Sequence, residues 1–328
     1  MSLGKLHLKL LIFLFLTTDI SREHGSATLR LDFSTQFVYS QSRAHFSHDH
    51  CYLFFFDTGG RRLRMLGAIA GDIIGSIFEG HPHKSKSFPL FTAHNHYTDD
   101  TVLTVAVAEA ILYGLPYALT LQSWGRRYPH AGYGGRFQHW LQSPMPRPYS
   151  SWGNGAAMRV SPVGWAFADS RTVLEEAKAT AMVTHNHPEG IKGAQATALA
   201  VFRARTKTSK EALREEIEDR FGYDLSRSLD AIRPRYTFDV SCQGSVPESL
   251  IAFLESTDYE DAVRNAVSLG GDADTMACIA GAVAEAAYGG VPEHIACVVR
   301  GRLPIALGNV VAQFLRTHSP EAPEIFCD

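Results

Sequence analysis

From Met65 onward, apolar residues recur at spacings of three and four between turns rich in Gly, Pro and Asn, while the alternation of a half-buried strand is nearly absent. That period predicts short amphipathic helices. One covers Asp100 to Leu112, and a second covers Thr172 to Ala181 with Leu174, Ala177 and Ala181 on one face. Tyr259 to Leu269, carrying Ala262, Val263, Ala266 and Val267, runs into a Gly270-Gly271 break and then a helix from Thr275 to Tyr288. This last helix is rich in small residues (Ala277, Ala280, Gly281, Ala282, Ala284), which lets neighbouring backbones approach closely. The expected fold class is all-α, a compact single-domain multi-helix array. The Pro-rich stretch Ser143 to Tyr149 and the polar, charged stretch Arg203 to Arg235 read as insertions or connections around one core. No linker divides the chain after residue 65, and no solenoid period is present.

Residues 1 to 64 follow a different pattern. Leu10 to Leu16, preceded by Lys5 and Lys9, has the charge-then-apolar order of a secretory signal but is far too short to span a bilayer. Residues 17 to 64 show no helical period and end in Arg61-Arg62-Leu63-Arg64, just before Met65. A poorly ordered extension or translated leader is expected here, in preference to a cleaved signal, ahead of a domain over residues 65–328.

Composition narrows the function classes. The chain has 328 residues, 45% of them apolar, so it can bury a sizeable core and is neither collagenous nor disordered. A formal charge of −3 offers no field to gather nucleic acid or anionic membrane, so neither is an expected partner. Eight Lys/Arg and five Asp/Glu fall in residues 1 to 64, which leaves residues 65 to 328 with −6, as a site for hard cations requires. The five cysteines (Cys51, Cys242, Cys278, Cys297, Cys327) form no CxxC pair, which argues against a disulfide framework and a thiolate zinc site. A reducing, cytoplasmic location follows, with secretion the outcome if the first 20 residues act as a signal. Oligomeric state is not legible.

Two acidic clusters sit at helix starts. Tyr97-Thr98-Asp99-Asp100-Thr101 precedes the helix of residues 102 to 112, and Gly270-Gly271-Asp272-Ala273-Asp274-Thr275 precedes that of residues 276 to 288. The ordinary reading of either is N-capping. Capping needs one acceptor, however, and a second adjacent carboxylate adds repulsion that a cation would remove. Carboxylate and hydroxyl oxygens without a cysteine or paired-histidine scaffold point to Mg²⁺ or Mn²⁺ before Zn²⁺. A third cluster, Gly71-Asp72-Ile73-Ile74-Gly75-Ser76-Ile77-Phe78-Glu79, puts Glu79 at the end of a helical run, where it is a candidate to ligate, gate or protonate. The histidine pairs His81/His83, His94/His96 and His185/His187 have an i, i+2 spacing that suits an extended turn. Pro188 fits a helix first turn after such a turn, with Glu189 beside it. Ser151-Trp152-Gly153-Asn154-Gly155 opens a helix, where free N–H groups could cradle a phosphate and Trp152 could stack on a base or sugar.

Taken in order, GDIIGSIFEG (71–80), YTDDT (97–101), GNGAAMR (153–159), THNHPEGIKGA (184–194) and GGDADT (270–275) resemble the ADP-ribosylglycohydrolase family. The flavour is that of the bacterial branch that includes dinitrogenase reductase-activating glycohydrolase. The resemblance covers residues 65 to 318 and implies an all-α fold with two Mg²⁺ or Mn²⁺ ions. It implies metal ligands Thr98, Asp99, Asp100, Asp272, Asp274 and Thr275. It also implies substrate contacts from Ser151, Trp152, Gly153, Asn154, Gly155 and His185, with catalysis by Asp99, Asp100, Asp272 and Glu79. The implied reaction releases ADP-ribose from an ADP-ribosylated protein or small ADP-ribose conjugate by metal-activated water. A catalytically silent, ADP-ribose-binding or crystallin-like relative is the alternative, and a His-Asp phosphohydrolase has only His48-Asp49 in its favour. Selectivity would lie in a rim near Tyr133, Arg136, Phe137 and Trp140, whose ordinary reading is packing.

Overall fold

The structure is a computed structural model that describes residues 65–318. The leader and signal expectations for residues 1 to 64, the His48-Asp49 pair, Cys51 and Cys327 lie outside the described residues. The order begins with α1 (Leu66–Gly75), α2 (Asp99–Tyr113), α3 (Tyr117–Arg127), α4 (Gly135–Gln142) and α5 (Gly155–Met158). It continues with α6 (Ser161–Ala166), α7 (Ser170–Met182), α8 (Pro188–Arg205), α9 (Lys210–Phe221) and α10 (Leu229–Ile232). It ends with α11 (Cys242–Leu254), α12 (Tyr259–Val267), α13 (Ala273–Tyr288), α14 (Glu293–Arg302) and α15 (Ile305–His318). The described residues hold no β-strand, only an isolated antiparallel bridge between Gly153 and Ser241. The all-α expectation holds.

The centre of the molecule is α13, whose residues are buried from Ala273 to Ala286 and whose small side chains let α1 lie antiparallel against it. A Cβ built on Gly67, Gly71 or Gly75 would come within 2.4, 2.0 or 2.4 Å of the carbonyls of Gly281, Ala277 and Ala273 respectively, so glycine is what permits this approach. At the far end of the pair, the Glu285 carboxylate accepts from Leu66 N (3.0 Å) and Gly67 N (2.9 Å), giving partners to N–H groups that the first turn of α1 leaves free. At the near end, the C-terminus of α1 meets the N-termini of α2 and α13. Helices α8, α11 and α12 pack around α13 and close the core.

Two stretches differ from the sequence expectation. The helical run does not reach Glu79: α1 stops at Gly75 and Glu79 lies in the turn beyond. The reason is Asn95, whose Nδ2 donates to the carbonyls of Ile73 (2.9 Å) and Ile74 (3.2 Å) that another helical turn would need. The polar stretch Arg203 to Arg235 is not merely a connection, since it contains α9 and α10. Ser209 caps α9 by accepting from Ala212 N, Gly222 ends it in a left-handed conformation, and only Leu213 and Ile217 are buried, which is why its polar faces hid it.

Candidate active site

A cavity of about 370 Å³ opens where α1, α2 and α13 converge, with Glu79, Asp99, Asp100, Asp272 and Asp274 along one side and Asn154 and His185 along the other. Helix α2 brings Asp99 and Asp100 in its first turn, and α13 brings Asp272 at its N-cap and Asp274 in its first turn. At α2 the cap is Thr98, whose hydroxyl accepts from Asp100 N (3.3 Å), which leaves both carboxylates for other work. At α13, Asp272 makes no cap hydrogen bond and instead accepts from Asn154 Nδ2 (2.7 Å) across the cavity.

Carboxylate oxygens gather in two overlapping groups, Asp72 with Asp100 and Asp274, and Glu79 with Asp272 and Asp274, each group within 4.8 Å. Asp100 and Asp274 are buried and Glu79 is exposed at the mouth. Among the described residues none of Asp99, Asp100, Asp272 and Asp274 makes an ion pair. Asp100 Oδ1 is buried without any hydrogen-bond partner among the described residues. Burial, then the charges of Asp72, Asp99 and Asp272, pushes Asp100 well above the usual carboxylate range. Burial, then Asp100 and Asp272, does the same to Asp274, while burial followed by Asp72 lifts Asp99 to about 8. Burial also raises Asp272, offset by the hydrogen bond from Asn154. Glu79 is raised by partial desolvation and then by Asp272 and Asp72. A buried acceptor left without a donor, beside carboxylates that nothing neutralises, fits a hard divalent cation bound through oxygen.

Asp72 is the residue that sequence reasoning missed. Fully buried on α1, it accepts from Thr98 N (3.0 Å), Thr98 Oγ1 (2.7 Å) and Thr101 N (3.1 Å), and also from Thr101 Oγ1. Its carboxylate therefore fixes the start of α2. Because the Thr98 hydroxyl hydrogen has its nearer acceptor in Asp72, the oxygen is left with a lone pair on the side of Asp100, 3.2 Å away. The available signal was a lone charge inside an otherwise apolar helical run. Thr275 Oγ1 lies 3.3 Å from Asp100 Oδ2, so Thr98 and Thr275, one from each cluster, border the same carboxylate.

Ser151, Gly153, Asn154 and Gly155 of the Ser151–Gly155 turn form the facing wall, while Trp152 is not part of the cavity lining. Not all its N–H groups are free: Gly153 N donates to Ser151 Oγ (3.2 Å) and Asn154 N to Val240 O (2.8 Å). The turn is held from behind by Cys242 N donating to Trp152 O (2.9 Å) and from the side by the 184–187 segment, with Tyr149 N on Thr184 O and Ser150 N on Asn186 Oδ1. Trp152 is half exposed and meets His187 edge to face, while His185 is buried with its ring on the turn. Of the rim residues, Tyr133, Phe137 and Trp140 stack in the core, and Arg136 is exposed at the cavity. Cys242 and Cys278 are buried free thiols and Cys297 is exposed, none of them in the cavity lining.

The family model for ADP-ribosylglycohydrolase matches residues 62–318. Similar proteins include ADP-ribosylhydrolase ARH3 of Xenopus tropicalis, 27% identical over 304 residues, covering 69% of this chain and 86% of that one. ADP-ribosylarginine hydrolase Tri1 of Pseudomonas putida is 24% identical, with 69% of each chain covered. A solved structure described as an ADP-ribosylglycohydrolase-related protein complex superposes with a TM-score of 0.61 and 26% identity, over 77% of this chain and 96% of that one.

Proposed function

The chain belongs to the ADP-ribosylglycohydrolase family, and on that footing we propose that it is a metal-dependent hydrolase that cleaves the glycosidic bond between ADP-ribose and a modified protein side chain or a small ADP-ribose conjugate. The observation that carries this reading is the buried, partnerless Asp100 Oδ1 amid unneutralised carboxylates from three helices, opposite a turn suited to a diphosphate. In this reading residues 65–328 are the catalytic domain. Thr98, Asp99, Asp100, Asp272, Asp274 and Thr275 would hold two Mg²⁺ or Mn²⁺ ions, with Glu79 at their edge. Bound there, such ions supply Lewis-acid chemistry, holding ribose hydroxyls and making a nearby water more acidic.

The chain's own residues do the rest. The Ser151–Gly155 turn and His185 bind the diphosphate, and Trp152 offers an exposed ring for the nucleoside. Ring oxygen and anomeric carbon then lie toward the carboxylate wall, whose negative charge favours a transition state of oxocarbenium character. An aspartate of the wall accepts the proton of the attacking water. Glu79, held above the usual carboxylate range by desolvation and then by Asp272 and Asp72, is the group at the cavity mouth placed to give a proton to the leaving group.

The test is turnover of ADP-ribosyl-arginine and ADP-ribosyl-serine peptides by the full chain in Mg²⁺, in Mn²⁺ and after chelation. Release of ADP-ribose that needs the metal and drops by at least about 10²-fold in Asp272→Ala is expected. Full activity after chelation, or in the variant, would defeat the scheme. ADP-ribose binding without any turnover would mark the chain as the catalytically silent relative.

A further inference from the structure

His185 reaches the cavity from the turn before α8, and its Nδ1 lies 2.7 Å from Thr184 Oγ1. That same oxygen accepts from Arg159 Nη2 at 2.8 Å. Arg159 is completely buried, its Nη2 also donates to Thr180 O (2.9 Å), and its Nε and Nη1 have no hydrogen-bond partner among the described residues. The three side chains thus form a row running from the interior to the cavity, and the hydrogens along it can be counted.

A guanidinium only donates, so Thr184 Oγ1 is the acceptor in its contact with Arg159. The hydroxyl has one hydrogen left to place. Thr184 is wholly buried, and among the described residues the only other hydrogen-bond partner of its hydroxyl is His185 Nδ1. Were Nδ1 itself protonated, two hydrogens would meet on one line and the threonine hydrogen would have no acceptor in a site without access to water. The hydroxyl therefore donates to Nδ1, and the ring carries its proton on Nε2. Nε2 makes no hydrogen bond within the described residues and faces the glycine turn: a Cβ on Gly155 would lie 3.1 Å from it and one on Gly153 3.7 Å.

We infer that Thr184 and Arg159 are positioning residues that fix His185 as the neutral Nε2–H tautomer, so that the ring presents a single, preoriented hydrogen-bond donor to an anionic oxygen at the Gly153–Gly155 turn. A second proton on the ring is opposed by burial and then by Arg159 and Arg136, the charged groups that face it, which hold His185 well below the usual histidine range. The donor is ready before the ligand arrives and needs no reorganisation. That the anionic oxygen belongs to a diphosphate rests on the function proposed above; the tautomer does not.

Long-range ¹H–¹⁵N correlation spectra of the full chain labelled at histidine read the tautomer directly. Wild type is expected to show His185 protonated at Nε2 and unprotonated at Nδ1 at neutral pH. Thr184→Val, which keeps the shape and removes the hydroxyl, is expected to mix the tautomers and raise the Kd for ADP-ribose about tenfold, and Thr184→Ser to restore both. A wild-type Nδ1–H signal overturns the inference, whether or not the valine variant folds. So does a folded valine variant that keeps a pure Nε2–H signal and wild-type ADP-ribose affinity. If His185→Ala binds ADP-ribose as wild type does while the wild-type spectrum shows Nε2–H, the tautomer lock stands and the diphosphate assignment at this turn fails.

Discussion

Asp99 carries the electrostatic tension of the site. Burial and the charge of Asp72 lift it from 3.8 to about 8, so between those values the folded chain keeps a proton that the unfolded chain has lost. Its contribution to stability is thus fully present below about 4 and is lost as pH rises through 8. Without divalent ions, the melting temperature is expected to fall between pH 5 and pH 8. Saturating Mg²⁺, at about a hundred times its Kd, is expected to raise it by roughly 5–10 °C at pH 8, and by less at pH 5 where the ligands are protonated. Identical melting curves with and without Mg²⁺ at pH 8 would contradict this. At this scale the sequence disclosed Asp99, Asp100, Asp272 and Asp274 because a paired carboxylate is more than a helix cap needs. It did not disclose Asp72, whose partners Thr98 and Thr101 lie 26 and 29 positions away and leave no local spacing to notice. Arg159 and Thr184 were hidden for the same reason, being 25 positions apart.

The pairing of α1 with α13 sets where those carboxylates end up, since α1 carries Asp72 and α13 begins with the Asp272 cluster. Gly71 is its tightest point, where an added Cβ would sit 2.0 Å from Ala277 O, a backbone atom that no rotamer change can move. Gly71→Ala is expected to cost about 3 kcal/mol or more, the upper end of overpacking, and to weaken Mn²⁺ binding by displacing Asp72. Gly301→Ala, in α14 where an added Cβ meets nothing within 4 Å, should be neutral or stabilise by about 0.5–1 kcal/mol. Thermal melts with Mn²⁺ titrations check both, and equal stability of the two variants would refute the packing argument. The run of Ala and Gly along α13 made close helix approach legible in the sequence. Helix ends were not, because α1 is stopped by Asn95, a residue 20 positions beyond its last turn. Nor was α9, since two buried apolar residues in a charged stretch give too weak a period.

Across the whole molecule, the order of five motifs was enough to place residues 65 to 318 in a family, while the cavity they build depends on contacts that only the fold creates. Asn154 on the glycine turn reaches Asp272 over a separation of 118 residues, tying the wall suited to phosphate to the wall suited to cations. None of the described helices is long and apolar enough to cross a membrane. In the proposed function, carboxylates from α1, α2 and α13 are assembled to hold a pair of divalent ions. Anomalous diffraction from a crystal of the protein grown in Mn²⁺ addresses it directly. Two manganese peaks are expected beside Asp100, Asp272 and Asp274. A Mn²⁺-saturated crystal with no peak among these side chains, or with the carboxylates turned apart, would contradict it.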